Sequence, residues 1–287
     1  MLFLPAWLVL LGSLIGKRWW LAGAAALICV AQVIYVAPEL LASESIPASV
    51  RTEPTMRLFD ANVAFYNPDM AGYITQLKSY RPQILTMEET DPNDYVQLKS
   101  AGVLATLPYQ FQIPCCGSRG FIIASHYPLK NVTVSYVKGL AYLIRSTLVL
   151  PNRTINLWVA HTTAPTNPGV SQWNEELDGI YKQLDTAHPR PLILVGDFNA
   201  TWGNHGFRAI LSTGLTDAAA ARGEPFQFSW SQMLPILPPI IRIDHVLTGG
   251  DVTVTTIETH LGLGSDHRDV TATVAVANAS GAASSSG

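Results

Sequence analysis

Leu194-Val195-Gly196-Asp197-Phe198-Asn199 is a short apolar run that ends in a glycine and then in two polar residues around one aromatic. Such a run, bounded by a turn signal, reads as a buried strand. Period-two alternation sends Asp197 and Asn199 to the same side of the chain, so a carboxylate and a carboxamide converge at the strand's end. Gly-Asp-x-Asn is also good turn chemistry after a strand. The motif therefore takes its meaning from its neighbours.

Working outward, Arg242-Ile243-Asp244-His245-Val246-Leu247 carries an acid inside an apolar strand. That is costly unless the acid is paired. His267 is the natural partner and His245 the alternative. Gly264-Ser265-Asp266-His267 puts a carboxylate and an imidazole in one loop before the last apolar run. Toward the N-terminus, Met87-Glu88-Glu89-Thr90 ends a strand in carboxylates, Asn62 closes an earlier one, and His161 follows Leu157-Trp158-Val159-Ala160. Six strand ends that each deliver an acid, amide or imidazole are hard to explain as packing. Hard oxygen donors without a Cys/His cluster point to Mg²⁺ or Mn²⁺, with Ca²⁺ as a further hard-ion alternative, rather than structural zinc.

The surrounding pattern alternates short β-type runs at 57–63, 84–87, 120–125, 143–150, 155–160, 192–196, 243–247, 252–257 and 270–276 with helical stretches at 70–80, 170–186 and 206–211. Many strands with a few helices between them predict an α/β sandwich rather than a barrel or a doubly wound sheet. Taken in order, Asn62, Glu89, His161, Asp197-x-Asn199, Asp244 and Ser265-Asp266-His267 resemble the endonuclease/exonuclease/phosphatase (DNase I-like) superfamily over about residues 56–276. The resemblance implies a four-layer α/β sandwich and a divalent-metal-dependent phosphoesterase. It implies that Glu89 and Asn62 bind metal with Asp266 nearby, that Asp197 orients or deprotonates the attacking water, and that Asn199 holds the phosphate. His161 and His267 would contact the scissile phosphate, His267 being held by Asp244. Glu88 stands where the family usually has glutamine, which leaves open which glutamate meets the metal.

The mean hydropathy of +0.21 is high for a chain of 287 residues with only 14% charged side chains. The excess lies at the front, where residues 2–16 and 19–37 are uncharged and Lys17-Arg18 separates them. The pattern predicts a transmembrane hairpin (1–41), a linker (42–55), the catalytic domain (56–277) and a flexible tail (278–287). A cleaved signal peptide is the rival, but its apolar region would be longer than the usual 7–15 or so residues. With Lys17 and Arg18 on the cytoplasmic side, the domain would lie outside the cytoplasmic membrane. Beyond the anchor, 16 basic residues face 20 acidic ones without a Lys/Arg stripe. That disfavours a nonspecific nuclease without excluding nucleic acid. The apolar run 233–241 suggests contact with a bilayer or a lipid tail near the catalytic mouth, a packed edge strand or core loop being its alternative. The expected partners are a phosphoester, which the run suggests is lipid-linked, and the bilayer itself. A catalytically silent binding module is the reading from another class.

Overall fold

The apolar runs pair into two six-stranded sheets in the computed structural model, which describes residues 3–114, 118–166, 168–232 and 238–277. The first contains β1 (Thr55–Asn62), β2 (Ile84–Glu88), β3 (Tyr109–Ile113), β4 (Phe121–Ser125), β11 (Val252–His260) and β12 (Asp269–Val276), in the order β11-β12-β1-β2-β4-β3. The second contains β5 (Leu129–Val137), β6 (Leu140–Val149), β7 (Thr154–His161), β8 (Leu192–Asp197), β9 (Thr216–Asp217) and β10 (Asp244–Gly249), in the order β5-β6-β7-β8-β10-β9.

Each strand spends one face on the space between the sheets, where Leu58, Ile84 and Ile123 meet Ile144, Leu157, Val195 and Val246. The other faces are covered by helices. On the first sheet, α3 (Met70–Tyr80) and α4 (Pro92–Ser100) pack on Phe59, Leu85 and Met87. On the second, α5 (Val170–Ala187) and α6 (His205–Ser212) cover Trp158, Leu194 and Phe198, while α7 (Ala218–Arg222) follows β9. The result is the expected four-layer sandwich. Deleting one central side chain, as in Leu157→Ala, would cost about 2–5 kcal/mol through lost burial and the cavity left behind.

Three observed strands, β3, β5 and β9, have no counterpart among the expected runs, and all three are sheet edges. An edge strand is buried on less of its surface. β3 and β5 are accordingly largely exposed or half-buried and carry too many polar residues to show an apolar period. Helix α4 is equally polar, and its start is set by a capping box between Asp91 and Asp94 with a proline in the first turn.

The sheet topology positions the site. β1 and β2 are parallel, as are β7 and β8, so each pair ends at one edge of its sheet. β12 is antiparallel to β1 and β10 to β8, so both begin at that edge. Every singled-out residue lies at one of these strand ends or in a loop beside it.

The N-terminal segment folds as α1 (Phe3–Ile15) and α2 (Trp19–Leu40). The expectation of two membrane-spanning helices is corrected here: among the described residues, no helix is long and apolar enough to cross a membrane. The 13 residues of α1 give about 20 Å at 1.5 Å per residue, against roughly 30 Å of bilayer core. α2 has 22 residues, but its last turns belong to the globule, because Tyr35 lies against Trp202 and Glu39 is paired with Arg242. The stretch expected to be a linker is docked as well: Ser43 and Glu44 donate backbone hydrogen bonds to Ala220 and Ala221, and Val50 is buried. The adjacent Cys115 and Cys116, most of the 233–241 run and the 278–287 tail lie outside the described residues.

Candidate active site

Glycine at 196 is demanded by β8 itself. Its φ is +128°, and a Cβ there would collide with the carbonyl oxygen of Ala160 on β7. The glycine lets the two strands close up, so Asp197 leaves β8 directly opposite His161 and Asp244. Asn199 takes a left-handed backbone (φ 47°), donates its N–H to Asp197 Oδ1 at 2.7 Å and turns its amide to Asp197 Oδ2 at 3.0 Å. Glu89, just past β2, is also left-handed (φ 54°). Backbone of this kind in non-glycine residues is held only where surrounding contacts insist on it.

The two sheets meet at Asn62. Its amide nitrogen lies 3.2 Å from Glu89 Oε1 and 3.1 Å from Asp197 Oδ2, joining the edge of the first sheet to that of the second. Ser265 closes the gap by donating to Asn62 O at 2.7 Å and accepting the N–H of His267 at 3.0 Å. His267 Nδ1 faces both Asp244 oxygens at 3.0 and 3.1 Å, and its Nε2 points toward Asp197 Oδ2 at 3.8 Å. His161 Nε2 lies 3.5 Å from Glu89 Oε1 and 3.8 Å from Asp197 Oδ2.

Seven of the eight sequence-derived residues therefore converge. Asp266 is the outlier, since its carboxylate accepts the indole N–H of Trp230 at 3.0 Å. The open question over the glutamates is resolved by direction. Glu88 is fully buried between the sheets, whereas Glu89 meets Asn62 and the N–H of Phe65. His245 is not the partner of Asp244; it lies on the other face of β10, with Nδ1 2.6 Å from Asp217.

The two cleft histidines are held in opposite states. Burial by itself would lower His267, but the Asp244 and Asp197 carboxylates and the hydrogen bond His267 donates to Asp244 push it up to about 10. Burial, then the nearby Arg119 and His267 charges, hold His161 well below 6.5. Asp197 is pushed up to about 7 by burial and by the Asp244 carboxylate. One imidazole is thus a fixed cationic donor, one is neutral, and one carboxylate is poised near neutral pH to take a proton from water.

These residues fit a hard divalent ion. Glu89, Asp197 and Asp244 crowd one cleft, and His267 is the one group on them held cationic, so a further positive charge would relieve the repulsion that raises Asp197. Asp197, Asp244 and His267 each bring one potential ligand atom within 4.8 Å of the others. They form a charge-paired row rather than a cage, His267 being hydrogen-bonded to Asp244 and 3.8 Å from Asp197, because an imidazole kept protonated has no lone pair to give a metal. Glu89 and Asn62 are the groups that would hold the ion. Bound there, it would supply Lewis-acid stabilisation to a phosphoryl oxygen.

Arg119, unmarked in the sequence reading, holds the cleft's back wall. Buried, it donates to His161 O at 2.9 Å and to the Thr163 hydroxyl, and lies 3.7 Å from Glu176. A lone arginine in a loop gives no sequence signal. Glu176 did give one, as an acid on the buried stripe of α5 with Leu177, Ile180 and Leu184, since an acid in such a place needs a cation. Beneath the cleft, Asp60 accepts the Thr86 hydroxyl at 2.5 Å, and burial holds both Asp60 and Glu88 well above the carboxylate range.

Several solved structures share this fold at low identity. A humanised D. rerio TDP2 aligns with a TM-score of 0.64 at 14% identity, covering 77% of this chain and 98% of that one. The 3'-5' exonuclease NExo from Neisseria meningitidis aligns at 0.63 and 18%, covering 76% and 98%. An endonuclease/exonuclease/phosphatase from Beutenbergia cavernae aligns at 0.62 and 16%, covering 78% and 72%. No curated protein matches the sequence. The Endonuclease/Exonuclease/phosphatase family matches residues 61–267, the whole span from β1 to His267. With that match and a cleft of this composition, the chain belongs to the Endonuclease/Exonuclease/phosphatase family of metal-dependent phosphoester hydrolases.

Proposed function

We propose that the chain is a Mg²⁺-dependent phosphodiesterase, with Mn²⁺ or Ca²⁺ as substitutes, that acts at the outer face of the cytoplasmic membrane on a phosphoester carried by an amphiphile. One observation carries the membrane part: the apolar hairpin leaves the globule beside the catalytic edge. The rings of Tyr35 and Trp202 are 4.5 Å apart, and Trp202 lies three residues past Asn199. Glu39 pairs with Arg242 at 2.5 Å, and Arg242 lies two residues before Asp244. Beyond those contacts the hairpin exposes Trp19, Trp20, Leu27, Ile28 and Ile34. Apolar surface on this scale marks a membrane or partner contact. The free part of α2, about 24 Å at 1.5 Å per residue, is shorter than a bilayer core of roughly 30 Å, so in this reading the hairpin anchors the domain by dipping into one leaflet rather than by crossing it. Lys17 and Arg18 at the hairpin's tip suit anionic lipid headgroups.

In this reading Glu89 and Asn62 hold the ion, with Asp266 at the rim. Asp197 aligns the water and takes its proton. Asn199 and neutral His161 bind phosphoryl oxygens, and His267, kept charged by Asp244, donates to the charge that develops in line. A single cationic side-chain donor suits the single charge of a diester better than the double charge of a monoester.

The test is hydrolysis by the full-length protein in lipid nanodiscs, with Mg²⁺, of phospholipid vesicles, bis-p-nitrophenyl phosphate, p-nitrophenyl phosphate and plasmid DNA. Metal-dependent release from vesicles, faster than from the soluble esters, supports the proposal. Preference for plasmid DNA transfers it to an extracytoplasmic nuclease, a reading favoured by the DNA-product complex of the similar D. rerio TDP2. Absence of turnover with any metal leaves the silent binding module.

A further inference from the structure

The opposite edge of the first sheet carries a second cleft, of about 590 Å³, between the C-terminal end of α3, the start of β1 and the residues after β4. Arg57, Lys78, Arg81 and His126 line it, and no aspartate or glutamate does so among the described residues. In a chain with 21 acids and a net charge of −3, this is a local reversal of sign. Its floor is apolar, built from Leu77, Val103 and Leu107, all buried. Arg57 lies over the Tyr80 ring at 5.8 Å, and that ring is fixed by its hydroxyl on Leu58 O. None of Arg57, Lys78 and Arg81 is ion-paired among the described residues.

Lys78 and Arg81 sit at the C-terminal end of α3, where cations complement the helix dipole. That accounts for two of the four. It does not account for Arg57 from β1 and His126 from beyond β4 facing the same space. Arg57 and Asn62 lie five positions apart on β1, about 17 Å at strand rise, so this cleft is distinct from the catalytic one.

We propose that the cleft is a binding site for an anionic amphiphile of small-molecule size, with a phosphate or carboxylate head on the Arg57–Lys78–Arg81 rim and an apolar tail on the Leu77–Val103–Leu107 floor. The volume is that of an ordinary small-ligand pocket. Weakly hydrated guanidinium forks match such heads.

The experiment is calorimetric titration of the full chain with octylphosphonate, which has no ester bond to hydrolyse, below its micellar concentration. Methylphosphonate and octanol supply the head and the tail alone. Uptake by the hairpin is common to every variant and cancels in the comparison. Octylphosphonate is expected to bind more tightly than either half. It should lose about tenfold for each cation removed in Arg57→Ala and Arg81→Ala. Thr106→Trp, which fills the exposed side of the cleft without changing charge, should weaken it similarly, and His267→Ala at the catalytic edge should leave it unchanged. Thermal midpoints within a few degrees of wild type verify folding, with Arg81→Gln as the milder substitute. The proposal is overturned if the wild type does not bind, if the arginine and Thr106 variants bind like wild type, if methylphosphonate binds as tightly as octylphosphonate, or if His267→Ala abolishes binding.

Discussion

β10 carries two histidine–aspartate pairs back to back. On one face Asp244 holds His267, and on the other His245 is held by Asp217. Asp244 and His245 are adjacent, so strand alternation alone sends them to opposite sides. What separates the pairs is the use of the second ring nitrogen. His245 Nε2 is spent on Ala200 O at 2.9 Å, and its ring lies 4.2 Å from that of Phe207 in the helix layer. His267 Nε2 faces the cleft, with Asp197 at 3.8 Å. The acids differ likewise. Burial would raise Asp217, but Arg242 and His245 more than offset it and hold it well below the usual carboxylate range. For Asp197, burial and the Asp244 carboxylate outweigh the relief from His267, Asn199 and Asn62, and it is pushed up to about 7. A buried histidine–aspartate pair is a structural clip when both nitrogens are consumed. It is chemical machinery when one nitrogen looks into a cleft short of positive charge.

The contrast is tested most severely by exchanging the damage. His267→Ala should lower kcat/KM on bis-p-nitrophenyl phosphate by about a thousandfold, the scale of a lost donor to developing charge, over and above the stability lost with its Asp244 pair. His245→Ala should keep kcat/KM within about tenfold yet cost about 3 kcal/mol of folding stability, the scale of a filled core site emptied. Equal losses of turnover in the two, at a temperature where both are folded, would erase the distinction.

Asp217→Asn comes next. It strips Arg242 and His245 of their shared anion and should cost about 3 kcal/mol in denaturant unfolding. Glu39→Gln should cost less, because Arg242 keeps Asp217 at 3.6 Å. A larger loss from Glu39 would mean that the hairpin, not β9, is the main support of β10.

Metal sharpens the cleft side. At about a hundred times its Kd, Mg²⁺ should stabilise the fold by about 2.7 kcal/mol. Scanning calorimetry should find that increment absent in Glu89→Gln and intact in Asp217→Asn.

The pairs also differ in their pH dependence. His267 is raised from 6.5 to about 10, so its contribution to stability is complete below about pH 6.5 and fades as pH rises through 10. Asp217 is lowered from 3.8, so its contribution is complete above about pH 4 and fades on acidification. Asp244→Asn should therefore flatten the alkaline limb of the stability profile and Asp217→Asn the acid limb. If Asp244→Asn leaves the alkaline limb as steep as in wild type, His267 is not held by Asp244 in solution.

Much of this was legible before folding, for reasons particular residues make plain. Asn62, Glu89, His161, Asp197 and Asp244 each interrupt or end an apolar run, and a polar group there announces itself by its cost. Three helices and the nine central or strongly apolar strands were visible for the same reason. β3, β5 and β9 were not, because an edge strand with an exposed face has no obligatory apolar period. Arg119 was silent in its loop, and the spanning hairpin was overread, since apolar length says nothing about whether the last turns of a helix are claimed by the globule, as those of α2 are by Trp202 and Arg242.

The sequence by itself determined the layers, the family and the inventory of acids, amides and imidazoles, because periodicity and the cost of burying polar groups are local properties. Only the tertiary structure decided which histidine Asp244 holds, which glutamate faces the cleft, that Asp266 turns to Trp230, and that a cationic cleft forms at the far edge. Those are matters of direction and of contacts between residues distant in the chain, and no local pattern encodes the side on which two sheets bring their ends together.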